Sequence, residues 1–400
     1  MTALGDTLRA RASAFTGLSR DNRLLALSLL VWGTGEGLFL HIQPLYLEQL
    51  GADSKGIGQI LAASQLVLGL SFVPAGWLAD RVGYRRLLIA GWLLGLAAAL
   101  GMAFAPDLRT FVMALLVYGL SGFVVPVMSS YITAARGRAT VEHALATVYA
   151  AFALGSIPSP ALGGWIADNW GLPAVYRSAV VFIAISSALV FLLGERRGAH
   201  AEAGTVPNAR LWRDREFRLL VGLMFAGMAL LWLPWTLTPN FLRNERGFEI
   251  GDIGLLGTVS ALGAIVMQLW LGRRRPRQTL PLAYLLMLGA VLLLWQARVL
   301  ALLGVAYFLR SSLNLARVAG SSLAARVAGA HRLGLAYGMI ETTATLAITS
   351  ASVIAGYLYD ARPDLPYLVA AIGLPVLAGA TLLLAPRVQG LPPTPAVEPP

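Results

Sequence analysis

Four ionisable residues stand inside long apolar runs: Glu36, Arg310, Arg317 and Glu341. A charge at mid-membrane costs about 2.5–3.5 kcal/mol on insertion scales, so each is a candidate for function. Glu36 lies midway along the run 24–50 and is the kind of acid that carries a proton; Gln43, seven residues on, falls on the same helical face. Arg310 offers a planar fork suited to a carboxylate or phosphate. Around it Tyr307, Arg310, Asn314, Arg317 and Ser321 form one stripe at i, i+3, i+7, i+10 and i+14. Such a stripe faces protein or water rather than lipid. Glu341 is a second candidate for proton coupling, within reach of Arg317 if the two runs pack together. Met228, Trp232 and Trp235, at i, i+4 and i+7, make a thioether and aromatic face suited to a flat hydrophobic or cationic guest. Tyr118, Ser121 and Ser129 form a thinner polar stripe.

The absences narrow the chemistry. The chain has no cysteine, which excludes disulfides, thiolate nucleophiles and Cys-ligated metals. Its single lysine, Lys55, is followed by Gly56, so no G-x-x-x-x-G-K-[ST] phosphate loop exists. Four scattered histidines form no H-E-x-x-H pair, and His143, His200 and His331 fall in or beside loops with no role assigned. No metal and no cofactor is expected, and no catalytic set of the kind a membrane-embedded enzyme needs is evident.

What positions these residues is a series of membrane spans. Of 400 residues, 57 % are apolar and only 13 % charged, about half the usual charged share of a soluble protein. A bilayer-crossing helix needs about 20 mostly apolar residues. Twelve runs qualify: 24–50, 57–79, 87–105, 110–134, 143–167, 174–193, 217–242, 252–271, 279–296, 300–324, 335–359 and 366–385. The expected organisation is a cytoplasmic segment 1–23, a six-helix bundle 24–193, a charged cytoplasmic linker 194–216, a second six-helix bundle 217–385 and a Pro-rich disordered tail 386–400. The first 23 residues lack a cleavage site, so span one reads as an uncleaved anchor. With the N-terminus inside, 22 of the 31 basic residues fall on the inner side and seven on the outer. The positive-inside rule then puts both termini in the cytoplasm. The net charge of +11 is explained by a membrane surface, and no nucleic acid is expected.

The two halves repeat. Pro44-Leu-Tyr-Leu47 precedes Pro239-Asn-Phe-Leu242 by 195 residues, Ile57-Gly58 precedes Ile253-Gly254 by 196, and Gly76 precedes Gly272 by 196. Gly164-Trp-Ile-Ala-Asp168 is echoed 192 residues later by Gly356-Tyr-Leu-Tyr-Asp360. Parallel six-span repeats put a substrate site near the midplane between the halves.

Between spans two and three stands Gly76-Trp-Leu-Ala-Asp80-Arg81-Val-Gly83-Tyr-Arg85-Arg86. It closely resembles the G-x-L-x-D-R-x-G-[RK]-[RK] loop signature of the major facilitator superfamily, with Tyr84 in one usually basic place. Gly76 and Gly83 permit tight turns and close helix approach. The resemblance implies a cytoplasmic latch that releases during alternating access. In the second half the matching loop, Gly272-Arg-Arg-Arg-Pro276-Arg277, has proline where the aspartate would stand. Span five carries Gly155-Ser-Ile-Pro158-Ser159-Pro160-Ala-Leu-Gly163-Gly164, similar to the family's exporter-associated G-x-x-x-G-P-x-x-G-G, with Ser159 for glycine. The span-four arginine of many proton-linked exporters is replaced by Tyr118.

The resemblance also implies that spans one, four, seven and ten line a central cavity, where Glu36 and Arg310 can pair, with Arg317 and Glu341 as a second pair nearer the cytoplasm. The fold expected is an all-α membrane protein of twelve helices in two pseudo-symmetric bundles, a monomer in the lipid bilayer of the cytoplasmic membrane. The function expected is secondary active transport of a small solute: proton-coupled efflux of a hydrophobic or amphipathic compound, in the manner of drug/proton antiporters. The alternative is transport of an anionic solute held by Arg310.

Overall fold

The computed structural model describes residues 17–195, 215–271, 276–328 and 333–384. The segment up to residue 16, most of the 194–216 linker, residues 272–275, His200, His331 and the 386–400 tail lie outside the described residues, as does the side chain of Asp80. Among the described residues every regular element is helical and there is no strand. The first half holds α1 (Arg20–Leu40), α2 (Gln43–Gln49), α3 (Ser54–Val82), α4 (Tyr84–Ala103), α5 (Leu108–Leu120), α6 (Val124–Ala134), α7 (Val141–Ser156), α8 (Ser159–Trp170) and α9 (Leu172–Val190). The second holds α10 (Arg215–Trp232), α11 (Thr238–Asn244), α12 (Ile250–Leu271), α13 (Pro276–Gln296), α14 (Leu300–Arg310), α15 (Ser312–Ala328), α16 (Leu333–Ala361) and α17 (Leu365–Leu384). Among the described residues ten helical stretches are long and apolar enough to cross a membrane by length and composition. Bare apolar surface fits a lipid solvent: Trp270 is 82 % exposed, with Leu70, Ile372 and Val376 also open.

Several apolar runs that read as one helix are broken. The run 24–50 turns at His41–Ile42, where Pro44 removes a backbone donor. Others break at Ser121–Phe123, at Ile157–Pro158, at Leu233–Trp235 and at Ser311. In lipid a freed carbonyl needs a partner from within the protein, and hydroxyls beside the breaks supply it. Ser121 Oγ donates to Tyr118 O at 2.6 Å and Thr238 Oγ1 to Pro234 O at 2.6 Å. Ser159 Oγ likewise bonds Gly155 O.

The chain forms two compact units whose membership departs from a simple cut at the linker. Unit 1 comprises Met1–Leu50, Val67–Glu202 and Glu249–Thr258; unit 2 comprises Gly51–Leu66, Ala203–Phe248 and Val259–Pro400. Helices α3 and α12 are each shared, their N-terminal portions belonging to the other half's unit. Within unit 1 the core gathers Leu25, Leu88, Trp92, Tyr131, Ile132 and Val148. Buried polar links cross it: Ser28 Oγ meets Ser186 Oγ at 2.8 Å, and the Trp92 indole donates to the same hydroxyl at 3.0 Å. Within unit 2 the buried Thr238 and Tyr367 hydroxyls meet at 3.0 Å.

Candidate functional site

In unit 1, Glu36 lies on α1, partly buried. The Tyr118 hydroxyl from α5 and the indole N–H of Trp32, one turn earlier on α1, face its carboxyl. Trp32 and Tyr118 stack at 6.2 Å with 17° between planes, and Trp92 meets Trp32 edge-on at 5.5 Å. The Tyr118 hydroxyl is buried with no partner at direct hydrogen-bonding distance, so it stands near the carboxyl without closing a bond. Among the described residues of unit 1, no basic side chain lies within ion-pairing distance of Glu36. The helical-face argument for Gln43 does not survive the break after Leu40: Gln43 opens the separate helix α2, buried, with its Nε2 lacking a partner. Ser121 is buried and occupied with the Tyr118 carbonyl.

In unit 2, Arg310 ends α14, partly exposed. Its guanidinium carbon lies 4.5 Å from the Trp235 ring and 5.9 Å from the Tyr307 ring, and those two rings meet edge-on at 5.5 Å. One N–H reaches Ser260 Oγ at 3.5 Å. Among the described residues of this unit Arg310 has no carboxylate partner. The expected stripe is kept in part: Tyr307 is buried, whereas Asn314 and Arg317 on α15 are exposed. Arg317 and Glu341 do meet, Nε donating to Oε1 at 3.3 Å and Nη2 to Oε2, each side chain 46 % exposed. The aromatic face of the seventh run divides where α10 gives way to a 3-10 turn. Trp232 packs beside Leu233, Ala351 and Ala355, while Trp235 turns to Arg310.

The loop signature is mostly helix. Gly76, Asp80 and Arg81 fall in the last turns of α3, and Tyr84, Arg85 and Arg86 open α4. The connection is Gly83 alone, at φ +93°, a conformation glycine adopts without strain. Gly76 sits inside the helix, so the turn expected of it belongs to Gly83. Arg85 donates to the carbonyls of Leu193 at 2.6 Å and Phe191 at 3.0 Å, just past the end of α9.

The glycines of the fifth run serve close packing inside unit 1. A Cβ at Gly155 would strike the Leu30 carbonyl, and one at Gly163 the Leu38 carbonyl. Two of the sequence repeats together mark one contact made once in each unit. Gly164 packs on the start of α12, where its Cβ would lie 2.7 Å from Ile250 O; Gly254 packs back on Pro160 and Gly164. Asp168 then accepts from the Gly251 N–H at 2.7 Å. In unit 2 the counterpart is Gly356 against the start of α3, with Gly58 packing back on Ser352 and Gly356. There Asp360 takes the Lys55 ammonium at 2.7 Å.

Outside the spans, three charges are tuned locally. Hydrogen bonding to Asp360 holds the Lys55 ammonium above its usual range. The Arg362 guanidinium, donating to Asp364, holds that carboxyl below the usual carboxylate range. Asp107 caps α5, and the Thr110 N–H at 2.8 Å holds it low in the same way. Among the described residues no cluster of three metal-ligating side chains occurs.

Sequence reasoning missed Trp32, Ser260 and the Lys55–Asp360 pair. Trp32 was within reach, one helical turn before Glu36. Ser260 gave no signal, because only the packing of α12 against α14 brings it to Arg310.

Comparison with known proteins agrees with this architecture. The family model of the Major Facilitator Superfamily matches residues 25–309. Multidrug resistance protein 2 of Bacillus subtilis is 24 % identical over 385 residues, covering 90 % of this chain and 94 % of that protein. Multidrug resistance protein MdtG of Klebsiella pneumoniae is 30 % identical over 259 residues, 60 % of this chain and 62 % of that one. Among solved structures, the nucleoside transporter NupG aligns with a TM-score of 0.73 at 11 % identity, covering 93 % and 98 % of the two chains. The human organic anion transporter MFSD10 aligns at 0.63 and 18 %, covering 92 % and 99 %. The chain is therefore a multi-pass membrane transporter rather than an enzyme, and it belongs to the major facilitator superfamily.

Proposed function

We propose that this transporter is a proton-coupled exporter of a hydrophobic or amphipathic compound, working by alternating access across the cytoplasmic membrane. In this reading the chain crosses the bilayer twelve times with both termini in the cytoplasm, and acts as a monomer. The observation that carries it is Glu36: a partly buried acid in an apolar helix, faced by Tyr118 and Trp32 and without a basic partner among the described residues of its own unit. Such an acid can exchange a proton without first breaking an ion pair. Long similarity to proteins named for multidrug resistance supports export of a lipophilic solute.

Gln43, Tyr118, Ser121, Trp232, Trp235, Tyr307, Arg310 and Asn314 are assigned to substrate contact in this reading, with Glu341 a second proton site tied to Arg317. The segment Gly76, Asp80, Arg81, Gly83, Arg85 and Arg86 forms the inner latch. Gly155, Pro160, Gly163 and Gly164 are packing points about which helices move.

The test is flux of an amphipathic fluorescent dye in liposomes holding the purified protein, with and without an imposed pH gradient. The wild type should move dye against its gradient when the trans side is acid, and Glu36→Gln should abolish that dependence. Equal flux with and without the gradient would falsify the coupling.

A further inference from the structure

We infer that Arg310 seats a carboxylate group of the transported compound, so that the substrate class is an amphipathic or aromatic acid. This rests on the transporter reading above but not on its proton coupling. A guanidinium presents five N–H donors in one plane. The rings of Trp235 and Tyr307, 4.5 and 5.9 Å away, attract its charge but accept none of those hydrogens in the way an oxygen does. Among the described residues its one hydrogen-bond acceptor is Ser260 Oγ, at 3.5 Å, and the Ser311 hydroxyl is turned to the Ser260 carbonyl. Among the described residues no carboxylate of the same unit answers the charge, in contrast to Arg317, which Glu341 holds from two nitrogens.

The neighbourhood holds a further donor. Among the described residues the Trp235 indole N–H, on a residue only 6 % exposed, has no acceptor. An unanswered donor beside a cation calls for an acceptor group. A flat oxyanion meets the fork with two parallel bonds, which a round or cationic group does not. The aromatic walls supply the apolar contact that the rest of such a molecule requires.

The experiment is isothermal titration calorimetry on the purified full-length protein in nonionic detergent, with benzoate, benzamide, benzylamine and inorganic phosphate as probes. Benzoate should bind saturably and benzamide and benzylamine should not. Arg310→Gln should weaken benzoate by about tenfold or more, as loss of a charged hydrogen-bond pair requires. Arg310→Lys keeps a charge but loses the fork, and should also bind several-fold more weakly; it serves should the glutamine variant fail to fold. Benzoate and benzamide binding alike, phosphate binding as tightly as benzoate, or either Arg310 variant matching wild type would each overturn the inference. Because the titration uses no gradient, it separates from the coupling test. Benzoate binding without pH-driven flux sinks only the proton coupling, and pH-driven flux without benzoate binding sinks only the carboxylate site.

Discussion

Each unit holds one charge against a pair of aromatic rings, and the two charges differ in sign. In unit 1 Glu36 has Trp32 from its own helix and Tyr118 from α5. In unit 2 Arg310 has Tyr307 from its own helix and Trp235 from the turn after α10. A ring face carries the negative part of the aromatic quadrupole, so it attracts a guanidinium directly. A carboxylate gains nothing from a ring face and depends on the N–H and O–H edges instead. Tyr118 and Trp32 offer such edges, but the Tyr118 hydroxyl stops short of a bond. The same architecture therefore fixes a permanent cation in one unit and leaves an acid whose charge is conditional in the other. One suits binding an anionic group; the other suits carrying a proton.

The largest effect should come from Glu36→Gln, which is expected to erase the response of dye flux to pH while leaving the protein folded, as judged by its elution from a sizing column. Gly155→Val comes next. It drives side-chain atoms into the Leu30 carbonyl, and overpacking of that kind typically costs about 1–3 kcal/mol or more; the loss should appear as a lowered thermal midpoint, and an unchanged midpoint would show that α1 and α7 can separate there. Trp235→Leu should weaken benzoate by about twofold to fivefold, the range of a cation–π contact of roughly 0.5–1 kcal/mol. Tyr118→Phe removes the hydroxyl facing Glu36 and should displace the pH midpoint of flux. If Trp235→Leu displaced that midpoint instead, the division of labour between the units would be wrong.

The smallest effects belong to surface charges. Lys55→Ala breaks an ion pair with both partners about two-fifths exposed, and should change stability by no more than about 1 kcal/mol. Asp364 offers a pH check. Its folded-state carboxyl is held below the unfolded value, so its contribution is present above the unfolded value and lost as pH falls through the folded one. Wild type should therefore lose thermal stability on acidification more steeply than Asp364→Asn, measured down to about pH 3.

Much of the fold was legible because membrane helices declare themselves by composition. The apolar runs, the repeat and the loop signature are all local patterns, and most of their described residues fall in helices. The repeat marks one contact made twice: Gly164 packs with Gly254, and their repeat mates Gly356 and Gly58 pack with each other. The breaks were harder. Gln43 and Trp235 were placed by counting along an unbroken helix, but Gln43 lies beyond a turn and Trp235 within one. Proline warns of such breaks at Pro44 and Pro234, but no comparable signal precedes the one at Ser311.

The chain's own sequence determined that it lives in a membrane, that it is helical, and which acids and bases are exceptional there. Those follow from composition and from spacing over a few turns, which any segment carries by itself. Only the tertiary structure decided that Arg317 is answered by Glu341, that Arg310 is answered by rings and one serine, and that Trp232 and Trp235 go to different neighbours. Partners in a helical bundle come from segments tens to hundreds of residues apart, and their choice depends on where each helix bends and which face it then turns inward.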